Sequence, residues 1–232
     1  MTDTLPMTGL PVTQTSDQGE VPAMPPINMA PRRKTPSGIA TNVKQDIIGI
    51  CDVSSSMSGD KIAELNLACA DLFAVLADPV NKNGFRVRLI HFNDQAHVAL
   101  PATLVTEAVL PDAVASGFTD FDLPIELAVR ELEASKQAPN PEGWSYMRPQ
   151  VLFLSDGQAS VQDHNIRQLQ ELADVMAIAY GDDANEDTLA TIASDGKVHR
   201  IGTDGASLRA FFANVGHTLS EGRAQAQGQA TV

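Results

Sequence analysis

A chain of 232 residues with 43% hydrophobic side chains is long enough for one packed domain plus a tail. Aromatic residues make up only 5% and the net charge is −13, which argues against a stacking platform or a basic face for nucleic acid. No run of about 18 apolar residues occurs, so no membrane span is expected, and the first 30 residues lack the basic-then-apolar pattern of a secretory leader.

Residues 1–45 hold seven of the fourteen prolines, no aromatic residue, three acids and four bases. This composition reads as a disordered or extended segment. Within it, Pro22-Ala23-Met24-Pro25-Pro26-Ile27-Asn28-Met29-Ala30-Pro31 favours polyproline II, and Arg32-Arg33-Lys34 follows. Two readings stand for it: a solvated tail, or a docking segment that orders on a partner.

The pattern changes near residue 46. Residues 46–51 form a short apolar run, as in a strand buried on both faces. Residues 60–77 follow a helical period, with Ile62, Leu65, Cys69, Leu72, Phe73 and Leu76 on one face. Residues 87–92 read as a second strand. Asn93-Asp94-Gln95 reads as a hairpin turn, and 97–100 as a third strand. A helix over 122–134 carries Pro124 in its first turn, where a missing N–H costs little. Strands follow at 150–154, 175–180 and 198–201, and helices at 165–172, 186–193 and 207–219. The Gln/Ala/Gly-rich residues 221–232 read as a flexible tail.

This alternation predicts an α/β domain over 46–220: a doubly wound, mostly parallel central sheet with one antiparallel edge strand and helices on both faces. Cys51 and Cys69 lie in apolar segments and are expected to be buried, unpaired thiols. Together with the missing leader and span, they point to a cytoplasmic protein.

In such sheets ligands bind beyond the carboxyl ends of the strands. Asp52-Val53-Ser54-Ser55-Ser56-Met57-Ser58-Gly59-Asp60-Lys61 follows the first strand. Ser155-Asp156-Gly157 follows the strand at 150–154, and Gly117-Phe118-Thr119-Asp120 precedes the helix at 122. These loops offer hydroxyls and carboxylates, with no His or Cys. Such hard oxygens suit Mg²⁺, with Ca²⁺ or Mn²⁺ as alternatives, rather than Zn²⁺.

Asp52-x-Ser54-x-Ser56, then Thr119, then Asp156, resembles the metal-ion-dependent adhesion site (MIDAS) of von Willebrand factor A domains, and the resemblance covers about 46–219. It implies a Rossmann-like fold. It also implies that Ser54, Ser56 and Thr119 ligate a cation directly, while Asp52 and Asp156 hold it through waters and hydrogen bonds. The partner is then a protein that offers an Asp or Glu. Met57, Phe118 and Asp120 are expected on the partner-binding rim, with Asp120 and Asp122 also candidates to cap the helix at 122–134. Within the family, Ser54-Ser55-Ser56-Met57-Ser58-Gly59-Asp60-Lys61-Ile62 and Ala177-Ile178-Ala179-Tyr180-Gly181-Asp182-Asp183-Ala184 resemble the stand-alone bacterial branch linked to tellurium resistance and stress response.

The expected function is therefore a metal-dependent adaptor or scaffold and not an enzyme. Two alternatives stand beside it. One is a structural subunit docked through residues 1–45. The other is a metal-dependent phosphatase with Asp52 as nucleophile, which usually needs a second Asp where Ser54 stands. His91 reads as a packed strand residue rather than a base. Trp144, in an insertion over 138–149, either covers the site or anchors its loop.

Overall fold

Val43–Asp52 (β1) is the central strand, and every residue in it is buried. It pairs in parallel with Phe85–Phe92 (β2) on one side and Gln150–Ser155 (β5) on the other. The computed structural model describes residues 42–182 and 184–229, so the expectation of an extended segment concerns residues that, up to 41, lie outside the described ones. The strand starts three residues before the predicted boundary, because Val43 and Lys44 pair with the short strand Ser145–Tyr146 (β4). That strand, inside the 138–149 insertion, has no apolar pattern to announce it.

The full order is β3-β2-β1-β5-β6-β7, with β4 beside β1. Asp174–Tyr180 (β6) and Val198–Ile201 (β7) extend the parallel side. Ala96–Leu104 (β3) pairs antiparallel with β2 at the opposite edge, as the hairpin turn predicts. It carries Pro101, which an edge strand tolerates because one side needs no ladder donor.

Side chains alternate across the sheet and divide the core in two. Ile47, Cys51, Val87, Leu152 and Ile178 pack under Asp60–Leu76 (α1) and Gly205–Gln229 (α5). Ile48, Ile50, Phe92, Phe153 and Ala177 pack under Asp122–Gln137 (α2), Asp163–Leu172 (α3) and Glu186–Ile192 (α4). On this second face Phe92, Phe121 and Phe153 form a ring cluster with centroids 5.3–6.0 Å apart, two of the three pairs edge-to-face. Each fully buried large side chain contributes roughly 1.5–3 kcal/mol. Cys51 and Cys69 are both buried and free, as expected.

The C-terminal tail differs from its prediction. Residues 221–229 continue α5. Ala, Gln and Arg are good helix formers, and Arg223 is buried, its Nη1 donating to the Val43 carbonyl at 3.1 Å. A tertiary contact therefore holds a stretch whose composition alone reads as loose.

Candidate metal centre

The strand order turns at β1 and β5. The chain leaves β1 toward β2 on one side and fills β5, β6 and β7 on the other. A crevice opens beyond the carboxyl ends at such a point. Asp52 ends β1 and Ser155 ends β5, on strands paired through Cys51 and Leu154.

Asp52 is fully buried. Its Oδ1 accepts from the Ser54 N–H at 2.8 Å and its Oδ2 from the Ser155 hydroxyl at 2.5 Å. Burial pushes its carboxyl above the usual range; the bonds from Ser155 and Ser54 pull it back down, and the nearby charge of Asp156 pushes it up again. Ser155 is the hub sequence reasoning missed: its hydroxyl also accepts from the Gly157 N–H at 2.9 Å. Its position at the end of a strand, next to Asp156, is the signal that could have found it.

A tight turn at Ser55–Met57 folds the loop after β1 back over the strand end. The Ser54 and Ser56 hydroxyls lie 2.9 Å apart, and Ser56 donates to Asp156 Oδ1 at 2.7 Å. The other oxygen of Asp156 accepts from the Lys61 ammonium. Lys61 was also missed. It stands in the first turn of α1, where the helix dipole disfavours a cation, and a base in that place is a sequence signal that something else holds it.

The third loop is sewn to the first. Ser116 N–H donates to the Val53 carbonyl at 2.7 Å, Ser55 N–H to Gly117 at 3.0 Å, and Asp120 N–H to Asn93 at 2.9 Å. Gly117 has φ +75°, and a Cβ there would lie 2.2 Å from Asp94 Oδ1, so glycine is required. This seam brings Thr119 to the crevice. A Cβ built on Gly157 would meet Thr119 Oγ1 at 2.9 Å and Asp52 Oδ2 at 3.3 Å. Gly157 therefore leaves open a small cradle between the hydroxyl of one loop and the carboxylate of another. Space lined by neutral hydroxyls, with carboxylates behind them, fits a hard divalent cation. Among the described residues no group of three or more His, Cys, Asp and Glu is placed to hold a metal.

All five residues of the sequence pattern thus converge at one strand-end crevice. The rim is only partly as predicted. Phe118 is 82% exposed beside Thr119. Met57 is 0% exposed and belongs to the core under α1 and α5; the turn that presents Ser56 outward rotates Met57 inward, so it is no partner contact. Asp120 is only half-buried, and its Oδ1 accepts from the N–H of Asp122 at 2.9 Å and of Leu123 at 3.4 Å, so this oxygen caps the start of α2. Asp122 in turn accepts from Gln162 N–H and Asn165 Nδ2, tying α2 to α3. Asp60 opens α1. His91 is buried on β2 opposite Cys51 and edge-on to His97, a packed strand residue. Trp144 borders Lys44 and Tyr146 at the amino ends of the strands, so it does not cover the site.

The von Willebrand factor type A domain profile matches residues 46–213. Inter-alpha-trypsin inhibitor heavy chain H6 of Homo sapiens is 29% identical over 161 residues, covering 62% of this chain and 12% of the human protein. Proximal thread matrix protein 1 from the mussel byssus, solved with a zinc-occupied MIDAS motif, superposes with a TM-score of 0.53 at 19% identity, over 75% of this chain and 47% of that one. The pilus adhesin SpaC from Lactobacillus rhamnosus GG gives a TM-score of 0.63 at 11% identity, over 78% and 30% of the two chains. The chain thus spans less than half the length of these relatives, and at such identities the structural matches speak to the fold.

Proposed function

The chain belongs to the von Willebrand factor type A domain family, and from that premise we propose that it is a metal-dependent protein-binding module rather than an enzyme. One observation carries the reading. Asp52, Ser54, Ser56, Thr119 and Asp156, drawn from three loops, meet around the cradle left by Gly157. Ser54, Ser56 and Thr119 would hold the cation by their hydroxyls, and Asp52 and Asp156 would orient those hydroxyls and supply charge. Mg²⁺ suits this donor set best, with Ca²⁺ and Mn²⁺ as alternatives. The mussel protein's zinc is a property of that protein.

When bound, the cation supplies a Lewis-acidic open position that attracts an Asp or Glu of a partner protein. The chain's own residues set the sign of that attraction. Asp52 and Asp156 bring two negative charges and Lys61 one positive, so a divalent ion turns the crevice from net negative to net positive. An acidic protein can then take an acidic side chain. Phe118, exposed next to Thr119, offers that partner an apolar contact.

In this proposal the residues that precede β1, up to 42, form a separate docking segment. We place the module in the cytoplasm, in a bacterial stress-response assembly of the tellurium-resistance type, on the likeness of 54–62 and 177–184 to that branch.

The test has two parts. Calorimetric titration with Mg²⁺ is expected to show binding to wild type and none to Asp52→Ala, whereas Thr119→Ala keeps most cation binding. A pull-down from native lysate, in Mg²⁺ and in EDTA, is then expected to retain a partner only with wild type and Mg²⁺. Wild-type cation affinity in Asp52→Ala overturns the site. A partner retained by wild type and by Asp52→Ala alike, in Mg²⁺ and in EDTA, moves the interface away from it.

A further inference from the structure

We propose that a groove at the pole opposite the metal centre is the docking site for this chain's own Pro-rich segment, residues 22–31. The groove, of about 370 Å³, is lined by Lys44, Arg86, Pro139, Pro141, Trp144 and Tyr146. It lies at the amino end of β1, eight residues before Asp52 and so roughly 26 Å away along the strand.

Its walls carry two features of surfaces that bind polyproline II. First, the aromatic side chains of Trp144 and Tyr146 line it together with Pro139 and Pro141. The Lys44 ammonium lies 3.7 Å from the centre of the Trp144 ring, and the Arg86 guanidinium 5.3 Å from that of Tyr146, each over one face. Asp46 holds Arg86 from behind through two hydrogen bonds of 2.8 and 2.5 Å, so the Tyr146 support is itself fixed. Tyr146 is 42% exposed although it is aromatic. Second, Glu107 adds an acidic group to the lining, while Glu142 is engaged by the Lys44 ammonium and the Trp144 indole N–H.

The sequence supplies a matching occupant at the right distance. Pro22-Ala23-Met24-Pro25 has the Pro-x-x-Pro spacing that presents two prolines on one side of a polyproline II helix. Arg32-Arg33-Lys34 follows, opposite in charge to Glu107 of the lining. The described chain begins at Asn42, whose carbonyl accepts from the Ser145 N–H at 3.1 Å, next to Trp144. The segment is thus attached at the mouth of the groove. Ten residues, 32–41, join it there and span at most about 36 Å. They include Pro36 and Gly38, which suit a turn back. Attachment over so short a link gives an effective concentration on the order of millimolar, which favours this segment over a free competitor.

Trp144 is the only tryptophan in the chain, so its fluorescence reports on the groove alone. The experiment compares acrylamide quenching in the full wild-type chain and in the full chain carrying Pro22→Ala, Pro25→Ala and Pro26→Ala, substitutions that lie outside the folded domain. Several-fold stronger quenching in the variant is expected, with protection restored by a synthetic peptide of residues 20–35. EDTA is expected to change nothing, which separates this site from the metal centre. Equal quenching in the two proteins overturns the proposal. Protection that rises with protein concentration also overturns it, because the occupant is then a second copy.

Discussion

Lys61 places its ammonium on the carboxylate of Asp156, the same side chain that accepts the Ser56 hydroxyl. The chain thus carries its own cation at the edge of the crevice. Asp156 is almost completely buried and Lys61 about one-fifth exposed, so the pair is sheltered from solvent screening. Without a metal, Lys61 keeps the two buried carboxylates of the site from facing each other uncompensated.

Lys61→Met therefore separates stability from cation affinity. In EDTA the variant is expected to lose about 2 kcal/mol of stability, the scale of a hydrogen bond to a charged group. Mg²⁺ is expected to bind it about tenfold more tightly, because a competing positive charge is gone. Urea denaturation reads the first and calorimetry the second. Unchanged or weaker Mg²⁺ binding shows that the ammonium does not oppose the metal.

Gly157→Ala tests the cradle. Its Cβ would press on Thr119 Oγ1 and Cγ2 at 2.9 and 3.0 Å, and lie 3.3 Å from Asp52 Oδ2. Cation binding is expected to fall sharply while the fold persists, since the methyl enters the open crevice and not the core. Circular dichroism checks the fold, and stabilisation on adding Mg²⁺ checks the site. Wild type is expected to gain about 2.7 kcal/mol at a hundredfold excess over its dissociation constant, and the variant little.

His91 makes stability depend on acid. Burial, with the charge of His97 as a second cause, pushes its imidazole from 6.5 down to about 4. The unfolded chain takes a proton near pH 6.5 and the folded chain only near 4. Above pH 6.5 neither form is charged and His91 contributes no difference; as pH falls from 6.5 to 4 the unfolded state gains. A loss of about 3 kcal/mol across that window is expected. His91→Phe is expected to lack this part of the loss, while the opposing effect of Asp52 is common to both proteins. Parallel stability–pH curves for the two proteins contradict the assignment.

Arg223 pins the end of α5 to the start of β1. Its Nη1 donates to the Val43 carbonyl, and its guanidinium lies 5.6 Å from the centre of the Phe85 ring. Arg223→Ala removes both contacts and leaves a buried carbonyl unpaired, at an expected cost of about 2 kcal/mol. Burial also lowers the pKa of this guanidinium, so placing the charge here carries its own cost. Arg223→Met, which keeps the packing and drops the charge, is expected to be milder. Guanidinium chloride denaturation orders the variants, and equal stability of Arg223→Ala and wild type removes the pin.

The sequence by itself determined the alternating order of strands and helices, the antiparallel edge and the five polar residues at the strand ends. These are local matters. A buried strand reads as an apolar run, an amphipathic helix as a 3.6-residue period, and a loop after a strand end is where polar residues gather. Tertiary structure decided what depends on which segments meet. Met57 is polar-flanked in sequence, yet the turn that exposes Ser56 points it into the core. Asp120 sits beside Thr119, yet the free N–H groups of α2 claim its Oδ1. Residues 221–229 look loose, yet the Val43 carbonyl on β1 holds their helix. Ser155 and Lys61 acquired roles only because Asp52 and Asp156, more than 90 residues away in each case, lie beside them in the fold. A residue's own type and spacing encode what its backbone will do. What its side chain touches depends on partners brought near by the packing of the whole sheet, and no local pattern carries that information.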